Sequence, residues 1–292
     1  MKKTKIIIPA LGILLLSTAA SVTGTVAWFT AANDIDVSHL NFQAQSEQAI
    51  VIANEGKAEW LNSGVSASHT GEGKTFLNTS TKDFGTWYHA YSSNANDGQA
   101  TVDRVALTVS KPAAGTTASE TGLGVVNQTN TAAEDYPFKD QNVYLLNRFY
   151  VQSATQVALA GQDLYVKDLK ITNSNDSLVN ADLDASLRIG FAFGEGKFIF
   201  APVAGATLEY NVNGSTTNYD VTAIADTSAG HVISGAAGVN VPAYTANGAS
   251  ALEIEVYIWF EGEDVNNKSA NVYGNMDQLS ITFKIGNKAH QG

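Results

Sequence analysis

The sequence predicts an all-β protein: a jelly-roll-like antiparallel β-sandwich with decorated loops, preceded by an N-terminal signal helix. Helical periodicity is scarce after residue 27, β-branched runs recur along the rest of the chain, and Gly, Asn, Ser and Asp separate them. Several runs alternate apolar with polar residues, most clearly Leu164–Ile171 and Leu279–Ile285. Because side chains alternate across a strand, such runs bury one face and wet the other.

Eleven segments show this strand character, and two segments interrupt them. The predicted strands are Ile35–Gln43, Ala49–Ala53, Val102–Val109, Val143–Val151, Leu164–Thr172, Leu187–Phe193, Lys197–Val203, Thr207–Val212, Tyr219–Ile224, Leu252–Phe260 and Leu279–Ile285. The interruptions, residues 111–133 and 225–250, are rich in small and polar residues, which predicts exposed loop excursions. Neither interruption has the charge or proline content of an interdomain linker, so residues 49–292 are predicted to form one domain.

The first 27 residues predict export. A basic head is followed by a stretch, Ile6–Asn33, that has no charged residue; the head contains Lys2, Lys3 and Lys5. A basic start, an apolar run and a small-residue exit are the layout of a secretory signal peptide, so residues 1–27 are predicted to be one. An uncleaved membrane anchor is the alternative, because the uncharged stretch is long enough to span a bilayer. Pro9 and the Ser/Thr-rich second half favour cleavage.

Signal peptidase is therefore a predicted partner, and two cleavage positions are open. Thr25 and Ala27 place small side chains at the third and first positions before a cut between Ala27 and Trp28. A second cut is possible after Ala32. The membrane is then a partner only through the leader before cleavage, and the mature protein is predicted to be secreted.

Charge composition limits the partners of the mature chain. The leader holds three of the 17 Lys and Arg residues, so the remainder carries 14 basic and 28 acidic residues, a net charge of −14. An acidic chain without a basic cluster argues against binding to nucleic acid or to anionic membrane surfaces. The chain contains no cysteine, so an exported domain of this size must depend on its core rather than on disulfides.

Enzyme signatures are absent from the sequence. The five histidines do not follow the His-Glu-x-x-His spacing of zinc hydrolases, and neither a Gly-x-Ser-x-Gly motif nor a cysteine nucleophile occurs. Gly71–Thr75 contains Gly-Lys-Thr but lacks the first glycine of a phosphate-binding loop. The sequence therefore predicts no enzyme and no cofactor, and a secreted hydrolase that uses scattered carboxylates is the least favoured alternative.

One aromatic run is a candidate carbohydrate platform. Trp87, Tyr88 and Tyr91 lie close together in the sequence and could present flat rings to a sugar. The alternative is that Trp87 fills the core of the sandwich, and this interpretation is favoured.

An acidic segment near the end of a predicted strand is a candidate calcium site. Glu261, Glu263 and Asp264 supply three carboxylates, the hard oxygen ligands that Ca²⁺ prefers. The segment lacks the Asp-x-Asp-x-Asp-Gly spacing of an EF-hand loop, so a solvated acidic turn is the favoured alternative.

The predicted mature N-terminus, residues 28–48, is the most informative candidate. It starts with two large aromatic residues and continues with a strand-forming pattern; the residues concerned are Trp28, Phe29, Ile35, Val37, Leu40 and Phe42. Exposed aromatic side chains are unfavourable in water, so this segment should be buried in its own domain or in a neighbour. A strand donated to the next subunit would make a head-to-tail contact that propagates into a filament. An ordinary first strand in its own sheet is the alternative.

The same region resembles the TasA/camelysin family of exported bacterial proteins. The lysine-led leader ends in Gly24-Thr-Val-Ala-Trp-Phe, Asn33-Asp34 follows, and the next strand contains Leu40-Asn-Phe42. This resemblance implies processing by a dedicated signal peptidase, a jelly-roll domain and assembly with copies of itself into biofilm-matrix fibres. It also implies a location at the cell surface or in the biofilm matrix of a Gram-positive bacterium. The motif covers only residues 1–45, and no ligand set supports the peptidase activity attributed to some camelysin-type members.

Overall fold

The computed structural model describes residues 35–37, 40–46, 49–57, 59–62, 65–69, 74–77, 79–92, 102–114, 122–127, 140–173, 186–202, 208–212, 215–219, 221–262 and 279–291. The predicted signal peptide, both cleavage positions, Trp28 and Phe29 lie outside these residues.

The described residues form strands and one short 3-10 helix. The strands are β1 (Ile35–Val37), β2 (Leu40–Ser46), β3 (Ile50–Asn54), β4 (Val65–His69), β5 (Lys74–Phe76), β6 (Trp87–Ser92), β7 (Val102–Leu107), β8 (Val109–Ser110), β9 (Gly122–Val126), β10 (Asn142–Ser153), β11 (Leu159–Asn173), β12 (Leu187–Phe193), β13 (Gly196–Ala201), β14 (Leu208–Val212), β15 (Ser215–Tyr219), β16 (Thr222–Ala223), β17 (His231–Val232), β18 (Val239–Val241), β19 (Leu252–Phe260) and β20 (Leu279–Ala289). The helix spans Ile224–Ala229. The all-β prediction is confirmed.

Two mainly antiparallel sheets organise these strands. A ten-stranded sheet has the order β1-β5-β10-β19-β12-β13-β16, with β3 and β9 also paired to β10, and β8 paired to β9. A six-stranded sheet has the order β17-β11-β20-β2-β4, with β18 also paired to β11. The remaining strands form the hairpins β6–β7 and β14–β15.

The two sheets share one apolar core. Phe149 of β10 and Phe191 of β12 lie in the ten-stranded sheet, and their rings meet the ring of Phe283 of β20 edge-on at 5.4 and 5.1 Å. All three side chains are at most 2% exposed. Edge-to-face contacts of this kind are the preferred geometry of aromatic rings, and they fix the six-stranded sheet against the inner face of the other.

The outer face of the ten-stranded sheet carries a second core. Tyr144 and Leu146 alternate along β10 with the inner residues Leu145 and Phe149, and all four are buried. The hairpin β6–β7 contributes Trp87 and Leu107 to this outer layer. The ten-stranded sheet is therefore covered on both faces, which explains why β10 lacks the polar-apolar alternation of a half-exposed strand.

Both predicted loop excursions contain regular structure, so the loop prediction is wrong over parts of them. Within residues 111–133, β9 pairs with β10 and β8, and Val126 is fully buried. Gly124 makes this pairing possible, because a Cβ there would lie 2.3 Å from the ring of Tyr144. Within residues 225–250, the 3-10 helix, β17 and β18 pack on β11, and Ile233 and Val241 are fully buried.

Candidate functional site

The N-terminal segment of the described chain contributes to both sheets. β1 pairs antiparallel with β5 at the edge of the ten-stranded sheet, through Ile35↔Phe76 and the two pairs that follow it. β2 lies inside the six-stranded sheet, parallel to β20 over seven residue pairs and antiparallel to β4 over five. Ala44 of β2 is fully buried in the shared core.

This division corrects the prediction of one continuous strand from Ile35 to Gln43. The apolar residues Ile35 and Val37 occupy odd positions, whereas Leu40 and Phe42 occupy even positions. Since strand side chains alternate with a period of two, a single strand could not direct all four to one face. The change of phase between Val37 and Leu40 coincides with the change of sheet, and it was visible in the sequence.

The candidate carbohydrate platform is not a surface, because Trp87 is only 1% exposed. Its ring stacks on Tyr144 at 4.6 Å and meets Trp259 edge-on at 5.5 Å, and its indole N–H donates to the backbone carbonyl of Phe84 at 3.3 Å. Trp87 therefore fills the core of the outer layer, as the favoured interpretation predicted. Tyr88 is half-buried, and its burial and then the charge of Asp83 raise its pKa.

Tyr91, the third member of the platform, lies in β6, but its side chain is outside the described residues. Adjacent strand residues point to opposite faces, so Tyr88 does not share the face of Trp87. These positions do not form the continuous platform that the sequence suggested.

The candidate calcium segment places its first carboxylate inside the protein. Glu261 is fully buried, and its oxygens accept hydrogen bonds from the Ser80 hydroxyl and, at 3.2 Å, from the Trp259 indole N–H. Glu261 therefore joins the end of β19 to the segment that precedes β6, and it is not part of a solvated acidic turn. Glu263 and Asp264 lie outside the described residues. Among the residues that are described, no group of three or more His, Asp and Glu side chains could hold a metal ion.

A charged cluster that the sequence did not predict surrounds Arg148 on the outer face of β10. Its guanidinium is 4% exposed and donates to Glu55 at 3.0 Å. The Nε atom lies 3.4 Å from a carboxylate oxygen of Glu253 and of Glu255. Three carboxylates thus surround one guanidinium. Lys111 supplies a second cation, since its Nζ atom lies 2.6 Å from a carboxylate oxygen of Glu255.

The Arg148 cluster also anchors the start of the segment that follows β8. The guanidinium donates to the backbone carbonyls of Pro112 at 2.7 Å and Ala113 at 3.3 Å. Burial lowers the pKa of Arg148, but its hydrogen bond to Glu55 and the neighbouring carboxylates outweigh this and raise the pKa. A charged residue inside the apolar run Val143–Val151 was the signal for a buried ion pair, but its partners are 93 and 107 residues away.

The hydroxyl groups of two tyrosines complete the cluster. Tyr150 donates to Glu253 at 3.0 Å, and Tyr257 donates to Glu255 at 2.9 Å. Burial and then the neighbouring carboxylates raise the pKa of both tyrosines, because each ionised phenolate would be desolvated beside a negative charge. The cluster therefore links the end of β3, β10, β19 and the segment after β8 through hydrogen bonds and ion pairs.

No protein-family model, curated protein or solved structure matches this chain. None of the described residues belongs to a helix long and apolar enough to cross a membrane. The fold defines an all-β protein with two facing sheets, and the N-terminal strands are the feature from which a function can be argued.

Proposed function

We propose that this protein is an exported structural subunit that polymerises into cell-surface or biofilm-matrix fibres by donating its N-terminal strand to the next copy. In this proposal the two facing sheets are a jelly-roll domain, the protein is not an enzyme, and it takes no cofactor. The observation that carries the proposal is the position of β2, which lies inside a sheet although, among the described strands, only β1 lies between it and the predicted signal peptide.

The pairing of β2 supports exchange between copies. β2 makes twelve residue pairs with β20 and β4, and these pairs use backbone groups on both of its edges. Only residues 47–49 connect β2 to β3, which belongs to the other sheet. Since β1 and β2 both lie on the N-terminal side of this connection, a neighbouring copy can supply an identical strand while the elements from β3 onward keep their places.

Exchange of β2 leads to a chain of subunits. A copy that receives a strand from one neighbour and gives its own to another makes a head-to-tail contact, which propagates unless rotation closes it into a ring. The pairs lost within each copy are regained between copies, so the exchange is close to neutral in contact energy. Association then depends on protein concentration.

Ala44 provides the steric specificity of this contact. Its side chain is fully buried between the sheets, where a larger or charged residue would meet the packed core. A donated strand must therefore place a small residue at this register, opposite Phe283 of β20.

The leader and the family resemblance support a location outside the cell. A cleaved signal peptide would deliver the subunit outside the cell, and the resemblance to TasA/camelysin proteins supports a surface fibre or biofilm matrix. Mass spectrometry of the secreted protein tests the processing: a mature chain that begins at Trp28 is expected, and a chain that begins at Asn33 would remove Trp28 and Phe29 from the donated segment.

Negative-stain electron microscopy tests the function. The mature protein, residues 28–292, should form filaments, whereas a matched protein that lacks residues 28–46 should not. Circular dichroism of the shorter protein shows whether its sheets persist. Monodisperse particles from residues 28–292 at all concentrations would overturn the proposal.

A further inference from the structure

We infer that the pairing of β1 with β5 is an intramolecular lock that controls how fast β2 leaves its own sheet. This inference rests on the proposed function, because it concerns the release of the strand that is proposed to be exchanged. It assigns a regulatory role to β5, a strand that makes no contact with β2 in the pairing scheme.

The lock follows from the division of the N-terminal segment between the two sheets. β1 is paired in the ten-stranded sheet and β2 in the six-stranded sheet. Three Cα-to-Cα steps join Val37 to Leu40, and they reach at most about 11 Å. Packed sheets lie about 10 Å apart, so the connection has little slack. β2 therefore cannot move to a neighbour while β1 remains paired.

The β1–β5 contact is also the smaller of the two contacts that hold the segment. It has three residue pairs, Ile35↔Phe76, Asp36↔Thr75 and Val37↔Lys74, against the twelve pairs of β2. β1 lies at the end of its sheet and pairs with β5 alone among the described strands. A short edge ladder opens more easily than an interior strand, so β1 is the point at which release can begin.

The backbone direction of β5 identifies which amides hold β1. The N–H of Leu77 donates to the carbonyl of Asn142 in β10 at 2.8 Å. Successive N–H groups of a strand point to opposite edges, so the N–H groups of Phe76 and Lys74 point to β1. The N–H of Thr75, by the same alternation, points away from β1.

This alternation offers a matched pair of variants. Lys74→Pro removes an N–H that faces β1, whereas Thr75→Pro removes one that faces the opposite edge, and neither changes the buried Phe76. Hydrogen–deuterium exchange of the monomeric mature protein should show faster exchange in β2 for Lys74→Pro than for Thr75→Pro. The expected difference is about twofold to tenfold, the effect of one net backbone hydrogen bond.

Size-exclusion chromatography over time gives the second readout. Lys74→Pro should form assemblies about twofold to tenfold faster than Thr75→Pro, with the same final fraction assembled. Equal exchange rates in β2 for the two variants would overturn the lock, whether or not assemblies form. Faster exchange without assembly of any variant would support the lock and overturn the proposed function, so the two failures are distinguishable.

Discussion

Replacement of Arg148 by methionine should destabilise the fold by about 3–5 kcal/mol, the usual cost of removing one partner from a buried ion pair. The side chains of Arg148 and Glu55 are 4% and 6% exposed, so the variant removes the Arg148 guanidinium from a buried carboxylate. The carbonyls of Pro112 and Ala113 lose their donor in the same step. The segment that begins at Lys111 should loosen before the sheets unfold.

A double-mutant cycle separates the ion pair from the packing of the arginine side chain. Glu55→Gln together with Arg148→Met should cost less than the two single changes added, because the double variant removes both charges of the buried pair. Glu253 provides the matched control, since its side chain is 42% exposed and its distance to Arg148 is 3.4 Å. In the corresponding cycle, the coupling free energy between Glu253 and Arg148 should stay below about 1 kcal/mol, as it does for exposed ion pairs.

Urea unfolding followed by tryptophan fluorescence measures these free energies. The slope of the unfolding free energy against urea concentration should be the same in all variants. Trp87 and Trp259 are both buried in the adjacent outer layer, so their emission reports on it. A loss below about 1 kcal/mol for Arg148→Met, or additive effects in the cycle with Glu55, would refute the assignment of Arg148 as a buried anchor.

Three further predictions concern Gly190, His231 and Asp168. Gly190→Ala should destabilise the outer layer and shift tryptophan emission, because its Cβ would lie 2.5 Å from the ring of Phe84. Burial lowers the pKa of His231, so its contribution to stability is fully present above about pH 6.5. It should be lost at lower pH, as the pH falls through the lowered pKa of the folded state, and His231→Phe should flatten the pH dependence of urea unfolding. The hydrogen bond from Lys284 lowers the pKa of Asp168. The contribution of Asp168 to stability is therefore present above about pH 3.9 and is lost on acidification. In Lys284→Met, NMR titration should find the Asp168 pKa higher than in the parent protein. Unchanged emission, an unchanged pH profile or an unchanged Asp168 titration, respectively, would contradict these three.

Strand alternation predicted the best-defined parts of the fold. Leu187–Phe193 and Leu252–Phe260 form strands with the predicted bounds, because short apolar runs that are rich in β-branched and aromatic residues favour buried strands. β9 was missed because its glycines have low intrinsic strand propensity. Its pairing depends instead on the ring of Tyr144, which is distant in the sequence.

The sites depend more strongly on long-range contacts. The core role of Trp87 was the favoured interpretation, since a large aromatic residue in a strand is usually buried. The carboxylate partners of Arg148 and the Ser80 partner of Glu261 are distant in the sequence, and no local pattern specifies them. The division of the N-terminal segment could have been predicted from the phase of Ile35 and Val37 against Leu40 and Phe42.

Competition by a peptide tests strand donation most directly. The mature protein, residues 28–292, is incubated alone, with excess peptide of residues 28–46, or with the same peptide carrying Ala44→Lys, and filaments are measured by sedimentation and electron microscopy. The account predicts filaments alone, few or short filaments with the native peptide, and unaffected filaments with the Ala44→Lys peptide, because Ala44 is fully buried. Filaments that form equally well with the native peptide, or a mature protein that stays monomeric, would contradict it.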